Sequence, residues 1–152
     1  MSDELDLTGD IAAAINGAAA RGHALALGYI DEDGYPAVSF RGSTQVHGPT
    51  QLAIWARKLD DGFVRSIAAR PQVTLVHFEY GGPGPAWLSI RGRAHLEPSA
   101  NDAVYAAMIE GERQQDPERK GGAVLIDVES VRGFGADGPF AMTAAGVASR
   151  SA

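Results

Sequence analysis

This sequence predicts a single, mainly β domain: a six-stranded antiparallel β-barrel with flanking helices. Three observations lead there. Six apolar runs of strand length are separated by turns rich in Gly, Pro and Asp. No strand–helix–strand alternation of the kind that builds a parallel sheet is present, and closing an antiparallel sheet removes its exposed edges. The length of 152 residues suits one core of ordinary size.

Each element has its own local reason. Residues 10–20 are alanine-rich, with Ile11 and Ile15 on one face, so they predict a short helix with Thr8 or Asp10 as cap and Gly22 as its end. His23 to Ile30 and Tyr35 to Ser43 form a hairpin around Asp31-Glu32-Asp33-Gly34. After the turn His47-Gly48-Pro49-Thr50, Gln51 to Arg57 is a third strand dense in Leu, Ile and Trp. Phe63, Ile67 and Ala68 fall at helical spacing, capped by Asp60 or Asp61 and stopped by Pro71. Val73 to Tyr80 and Ala86 to Leu96 are strands joined by the loop Gly81-Gly82-Pro83-Gly84-Pro85, with Arg91 and Arg93 on one face. Pro98 opens a helix running to about Gln115 with Val104 and Met108 on its apolar stripe, Asp116 to Gly122 is a charged connector, and Ala123 to Gly135 is the sixth strand. The N-terminal helix, the barrel over residues 23–135 and a frayed tail from about 136 to 152 make one domain.

Composition narrows the function. A net charge of −6 without a stripe of Lys and Arg argues against nucleic-acid binding. The absence of cysteine excludes disulfides, thiolate metal sites and cysteine nucleophiles, and fits a cytoplasmic protein. The acidic start and the lack of any apolar run of about 18 residues predict a soluble, unexported chain with no membrane partner.

The strand ends carry the chemistry. Val38-Ser39-Phe40-Arg41-Gly42-Ser43-Thr44 and Leu52-Ala53-Ile54-Trp55-Ala56-Arg57-Lys58 each deliver basic and hydroxyl groups to the end of an apolar run. An arginine buried there needs an anion or a carboxylate, so either a ligand such as a phosphate or the chain's own acids must meet Arg41 and Arg57.

Four segments together resemble the pyridoxamine 5'-phosphate oxidase-like split-barrel flavoproteins and their deazaflavin-dependent relatives. They are the hairpin Leu25 to Val38, the run Leu52 to Arg57, the helix end Ile67-Ala68-Ala69-Arg70-Pro71-Gln72-Val73, and Ile90-Arg91-Gly92-Arg93-Ala94. The resemblance implies a split-barrel homodimer holding FMN, or alternatively F420, in clefts at the subunit interface, and a small-molecule substrate. It maps cofactor contacts onto Arg41, Gly42, Ser43 and Thr44 of the second strand and onto Trp55, Ala56, Arg57 and Lys58 of the third. Arg65 adds charge nearby, and Trp87, Ser89 and Arg91 of the other subunit close the cleft. The likeness departs at one place: Asp61-Gly62-Phe63 stands where the oxidase has an Arg-Lys pair after a serine. The oxidase's substrate-binding C-terminal segment, with its arginine and histidine, is also missing, so a pyridoxamine-specific oxidase is not expected.

No other motif competes. His23, His47, His77 and His95 have no metal-ligand spacing, and Ser39, Ser43, Ser66 and Ser89 lack a nucleophile-elbow context. The Gly81–Pro85 loop has prolines without donors, Trp55 and Trp87 read most simply as core or interface aromatics, and Glu110-Gly111-Glu112-Arg113 reads as a solvated helix face. The resemblance therefore implies a flavin- or deazaflavin-dependent oxidoreductase, with no catalytic side chain assigned. The alternatives are a non-catalytic flavin, haem or small-ligand binding protein of the same fold, or a structural dimer.

Overall fold

The computed structural model describes residues 3–147. In chain order it contains β1 (Asp3–Glu4), α1 (Asp10–Asn16), β2 (Leu25–Ile30), β3 (Pro36–Arg41), β4 (Gln45–Val46), β5 (Gln51–Ala56), α2 (Gly62–Ala69), β6 (Gln72–Phe78), β7 (Trp87–Leu96), α3 (Asn101–Ala107), α4 (Glu110–Arg113), β8 (Gly122–Gly135) and β9 (Gly138–Thr143). The sheet has nine strands rather than six, is mixed because β1 runs parallel to β9, and is not closed, running β1-β9-β8-β7-β6-β2-β3. The three extra strands are short or lie at edges, where no β-branched alternation marks them. Residues 138–143, expected to fray, are held by the full length of β9 pairing with β8; the end of the expected tail, 148–152, lies outside the described residues.

The 14-residue β8 is the spine. One of its edges pairs with β7 from Leu96↔Val124 to Trp87↔Phe134. The other is divided, with β5 taking Gly122 to Asp127 and β9 taking Ser130 to Gly135. At the point of division β7 shifts register between Arg91 and Gly92. Only glycine fits there, since a Cβ on Gly92 would sit 2.5 Å from the Asp127 carbonyl oxygen.

Two cores lie on opposite faces of β5 and β8. Leu52, Ile54 and Ala56 join Leu25, Leu75, Ile90 and Ile126 in the larger core, where α1 and α2 add Ile15, Phe63 and Ile67. Ala53 and Trp55 face the other way, into a lobe core with Val104, Tyr105, Met108 and Leu125. The helix expected from 98 to about 115 is in fact a 3-10 turn followed by α3 and α4, broken at Met108 and Ile109, whose backbones are extended. Arg113 fills the break by donating to the carbonyls of Ala106 and Met108. The end of α2 before Pro71 and its Asp61 cap agree with expectation, the Asp61 carboxylate accepting from Val64 N at 3.0 Å. By contrast, α1 is capped by Gly9 and uses no side chain.

Candidate functional site

β3 inverts the usual sheet pattern. Its outer residues Val38 and Phe40 are 71% and 77% exposed, whereas Ala37, Ser39 and Arg41 point to the face shared with the buried Leu25 and Leu27. Cross-strand partners share a face, so the register Leu25↔Arg41 and Leu27↔Ser39 places a hydroxyl and a guanidinium on the interior side.

α2 covers this side. The Arg41 guanidinium lies 4.1 Å from the centroid of Phe63, and the Phe63 ring meets Tyr29 edge-on at 5.0 Å. Arg41 Nε and Ser39 Oγ are buried without a hydrogen-bond partner. Burial pushes the Arg41 guanidinium below the ordinary arginine range, Tyr29 and Asp61 draw it back up, and Arg57 presses it down. It remains a cation. Two orphaned donors on one strand face are costly, at roughly 1–3 kcal/mol each, unless a ligand supplies acceptors.

The turn after Arg41 spends its hydroxyls internally. Ser43 Oγ accepts from Trp55 N at 2.9 Å, and Thr44 Oγ1 donates to the Arg41 carbonyl at 2.7 Å. Glu112 lies over Gly42, its carboxylate reaching within 2.2 Å of where a Cβ would be. Trp55 is a core aromatic: its indole N–H donates to Asp116 Oδ2 at 2.9 Å and its ring meets Tyr105 edge-on at 5.2 Å. Ala56 is buried in the larger core. Arg57 and Lys58 leave the end of β5 exposed and line an open basin of about 670 Å³ together with Leu59, Asp60 and Lys120.

Arg65 has found acids of its own. It pairs with Glu32 at 2.9 Å, both side chains more than half exposed, and donates to the Asp60 carbonyl. The hydrogen bond and charge of Glu32 hold its guanidinium above the ordinary range. Trp87, Ser89 and Arg91 lie on the outer face of β7, opposite Phe78, Val76 and Thr74. Within one chain they are on the far side of the sheet from Arg41. Around them the outer face carries Phe40, Val76, Phe78 and Phe134, each more than a third exposed.

Ser39 was not a sequence-derived site residue, because its burial depends on α2 packing over β3. No cluster of three or more His, Asp or Glu side chains able to hold a metal occurs among the described residues, and no helix there is long and apolar enough to cross a membrane.

No protein-family model matches the sequence, and no curated protein matches it. Solved structures match in fold. A protein of the pyridoxinephosphate oxidase family from Clostridium acetobutylicum, related to general stress protein 26, superposes with a TM-score of 0.61 at 12% identity, over 84% of this chain and 90% of its own. An F420 reductase gives 0.58 at 16% identity, over 82% and 95%. A haem-binding protein from Mycobacterium smegmatis gives 0.61 at 16% identity, over 87% of this chain and 57% of that one. At such identities the likeness is one of fold, and that fold is pyridoxamine 5'-phosphate oxidase-like.

Proposed function

We propose that this chain, built on the pyridoxamine 5'-phosphate oxidase-like fold, is a flavin- or deazaflavin-dependent oxidoreductase holding FMN or F420 in a cleft between two copies. One observation carries the reading: Arg41 Nε and Ser39 Oγ are buried side by side on one strand face with nothing to bond. A flavin-type ring with its anionic side chain offers acceptors to both, and the guanidinium fork suits phosphate oxygens.

In this reading Arg41 neutralises the anionic group and Arg57 and Lys58 add charge from the end of β5. Gly42, Ser43 and Thr44 fix the turn that aims Arg41, and Trp55 and Ala56 hold β5 rigid beneath it. Arg65 contributes only by leaving Glu32. Trp87, Ser89 and Arg91 of a second copy cover the open side, because within one chain the sheet itself separates them from Arg41. The exposed aromatics of the outer face support self-association, being the kind of surface that aromatic-rich interfaces bury. The bound cofactor supplies the electron or hydride transfer, while the protein binds, orients and shields it.

The test is an absorption spectrum of the purified protein followed by calorimetric titration with FMN and with F420. Binding with one of them, weakened about tenfold or more in Arg41→Gln, supports the reading. A colourless protein whose melting temperature is unmoved by either ligand overturns it.

A second reading, a non-catalytic flavin- or haem-binding protein, draws on Asp60 and Asp61 at the start of α2, where they oppose a phosphate. The haem-binding neighbour adds to it. A bound cofactor that no nicotinamide donor or oxidant turns over distinguishes it from the first.

A further inference from the structure

The connector 116–121 is a built loop. Asp116, only 7% exposed, accepts hydrogen bonds from Trp55 Nε1 at 2.9 Å, Lys120 N at 2.9 Å and Gly121 N at 2.8 Å. Its own carbonyl accepts from the Tyr105 hydroxyl at 3.0 Å. Arg119 adopts a left-handed backbone with φ of 53°, which costs a side-chain-bearing residue about 1 kcal/mol or more and persists only where its surroundings enforce it. Here the guanidinium stacks 4.3 Å from the Tyr105 centroid and pairs with Asp102 at 3.1 Å. Gly121 seals the loop against β5, since a Cβ there would lie 2.0 Å from the Ala56 carbonyl oxygen.

This ordering presents one side chain to the site. The β5–β8 register ends at Ala56↔Gly122, so its continuation sets Lys120 beside Arg57 and Lys58, and the three line one basin of about 670 Å³. The acids facing it are Asp60, and Glu118 in an exposed pair with Lys120 at 3.3 Å, a contact of little strength in water. Arg57 bonds only to the neutral Gln115, and Lys58 has no ion pair among the described residues. Asp60, which lines the basin, lies three residues before Phe63, whose ring the Arg41 guanidinium stacks on, so the basin and the interior cation border the same end of α2.

We propose that this basin is a second anion subsite and that Lys120 is its anchor, taking further negative groups on the side chain of the ring ligand whose first anionic group Arg41 meets. The inference rests on the cofactor reading above and sharpens it. The preferred ligand carries several separated anionic groups, as the oligocarboxylate tail of F420 or the pyrophosphate of a flavin dinucleotide does, and the single phosphate of FMN leaves the basin unfilled.

The experiment titrates wild type, Lys120→Gln and Lys120→Arg with riboflavin, FMN, flavin dinucleotide and F420 at low and high salt, following ring fluorescence. The expected result is that Lys120→Gln weakens the dinucleotide or F420 about fivefold to tenfold, with a flatter salt dependence. FMN and riboflavin change less than about twofold, and Lys120→Arg restores binding. Whichever of the two multianionic ligands responds more identifies the source of the charge. Equal affinities in wild type and Lys120→Gln, or equal losses for all four ligands, overturn the proposal. If wild type binds none of the rings, the cofactor reading fails separately. Tripolyphosphate then tests the basin alone: a rise in melting temperature in wild type that is absent in Lys120→Gln upholds the subsite, and no rise overturns it.

Discussion

β3 ends in an arginine and β5 is followed directly by one, yet the two strands are built oppositely. β5 is buried on both faces, with Leu52, Ile54 and Ala56 in the larger core and Ala53 and Trp55 in the lobe. β3 pairs on one side only, exposes Val38 and Phe40, and turns its polar residues inward. In the proposed reading the difference separates scaffold from site. A doubly buried strand fixes where the basin lies, whereas a strand with its apolar face outward and its donors inward is fitted to meet other molecules on both faces.

The sharpest way to break the contrast is to truncate each strand. Ile54→Ala removes atoms that are fully buried and is expected to cost about 2–5 kcal/mol in the denaturant midpoint. Phe40→Ser should leave the unfolding of the single chain within about 0.5 kcal/mol, and under the proposed pairing of two copies its effect is expected in sedimentation, as a shift toward monomer.

Next is Asp116→Ala. It strands the Trp55 indole and two backbone N–H groups, for an expected loss of about 2–3 kcal/mol together with a shift in Trp55 emission. Burial raises the Asp116 carboxyl, but the bonds from Trp55, Gly121 and Lys120 outweigh it and hold it below its usual value. Its stabilisation is therefore complete above the unfolded carboxylate range and lost as pH falls through the lower folded value.

The barrel side has a titrating counterpart in His77, which is 1% exposed with Nε2 3.6 Å from Glu79 Oε1. Burial pushes this imidazole down, Glu79 opposes that, and Arg21 adds to it. The folded state thus binds fewer protons than the unfolded one below pH 6.5, the ordinary histidine value, and stability falls as pH drops through that window. His77→Leu should flatten this part of the profile in a melting series. The smallest effect is expected for Arg65→Gln, whose pair with Glu32 is solvent-exposed. It should weaken FMN or F420 less than Arg41→Gln does in the same titration.

What the sequence made legible follows the same line. The β2–β3 hairpin, the extents of the central strands and the Asp61 cap were readable because each depends on neighbours a few residues away, whereas pairing β2 with β6 and β5 with β8 joins residues far apart in the chain. The lobe was not: the break at Met108 and the knot around Asp116 exist only because Trp55 and Tyr105, far apart in the chain, meet there. Arg41 and Arg57 were visible as strand-end cations; Arg41 Nε is buried without a partner, and Arg57 bonds to the neutral Gln115 rather than to an acid. Ser39 and Lys120 were hidden for opposite reasons. One acquires its burial from α2, and the other acquires its position from a loop that reads as mere charge.

The unpaired rim of β3 bears on how the molecule behaves in a tube. Its backbone donors and acceptors lie open beside Val38 and Phe40, with Pro36 at one end as the residue that discourages a stray strand from adding. Such a rim is safe while something sits on the adjoining face and adhesive when nothing does. Raising the concentration should therefore shorten the shelf life of this protein, and light scattering over days at two concentrations would show the concentrated sample losing material first.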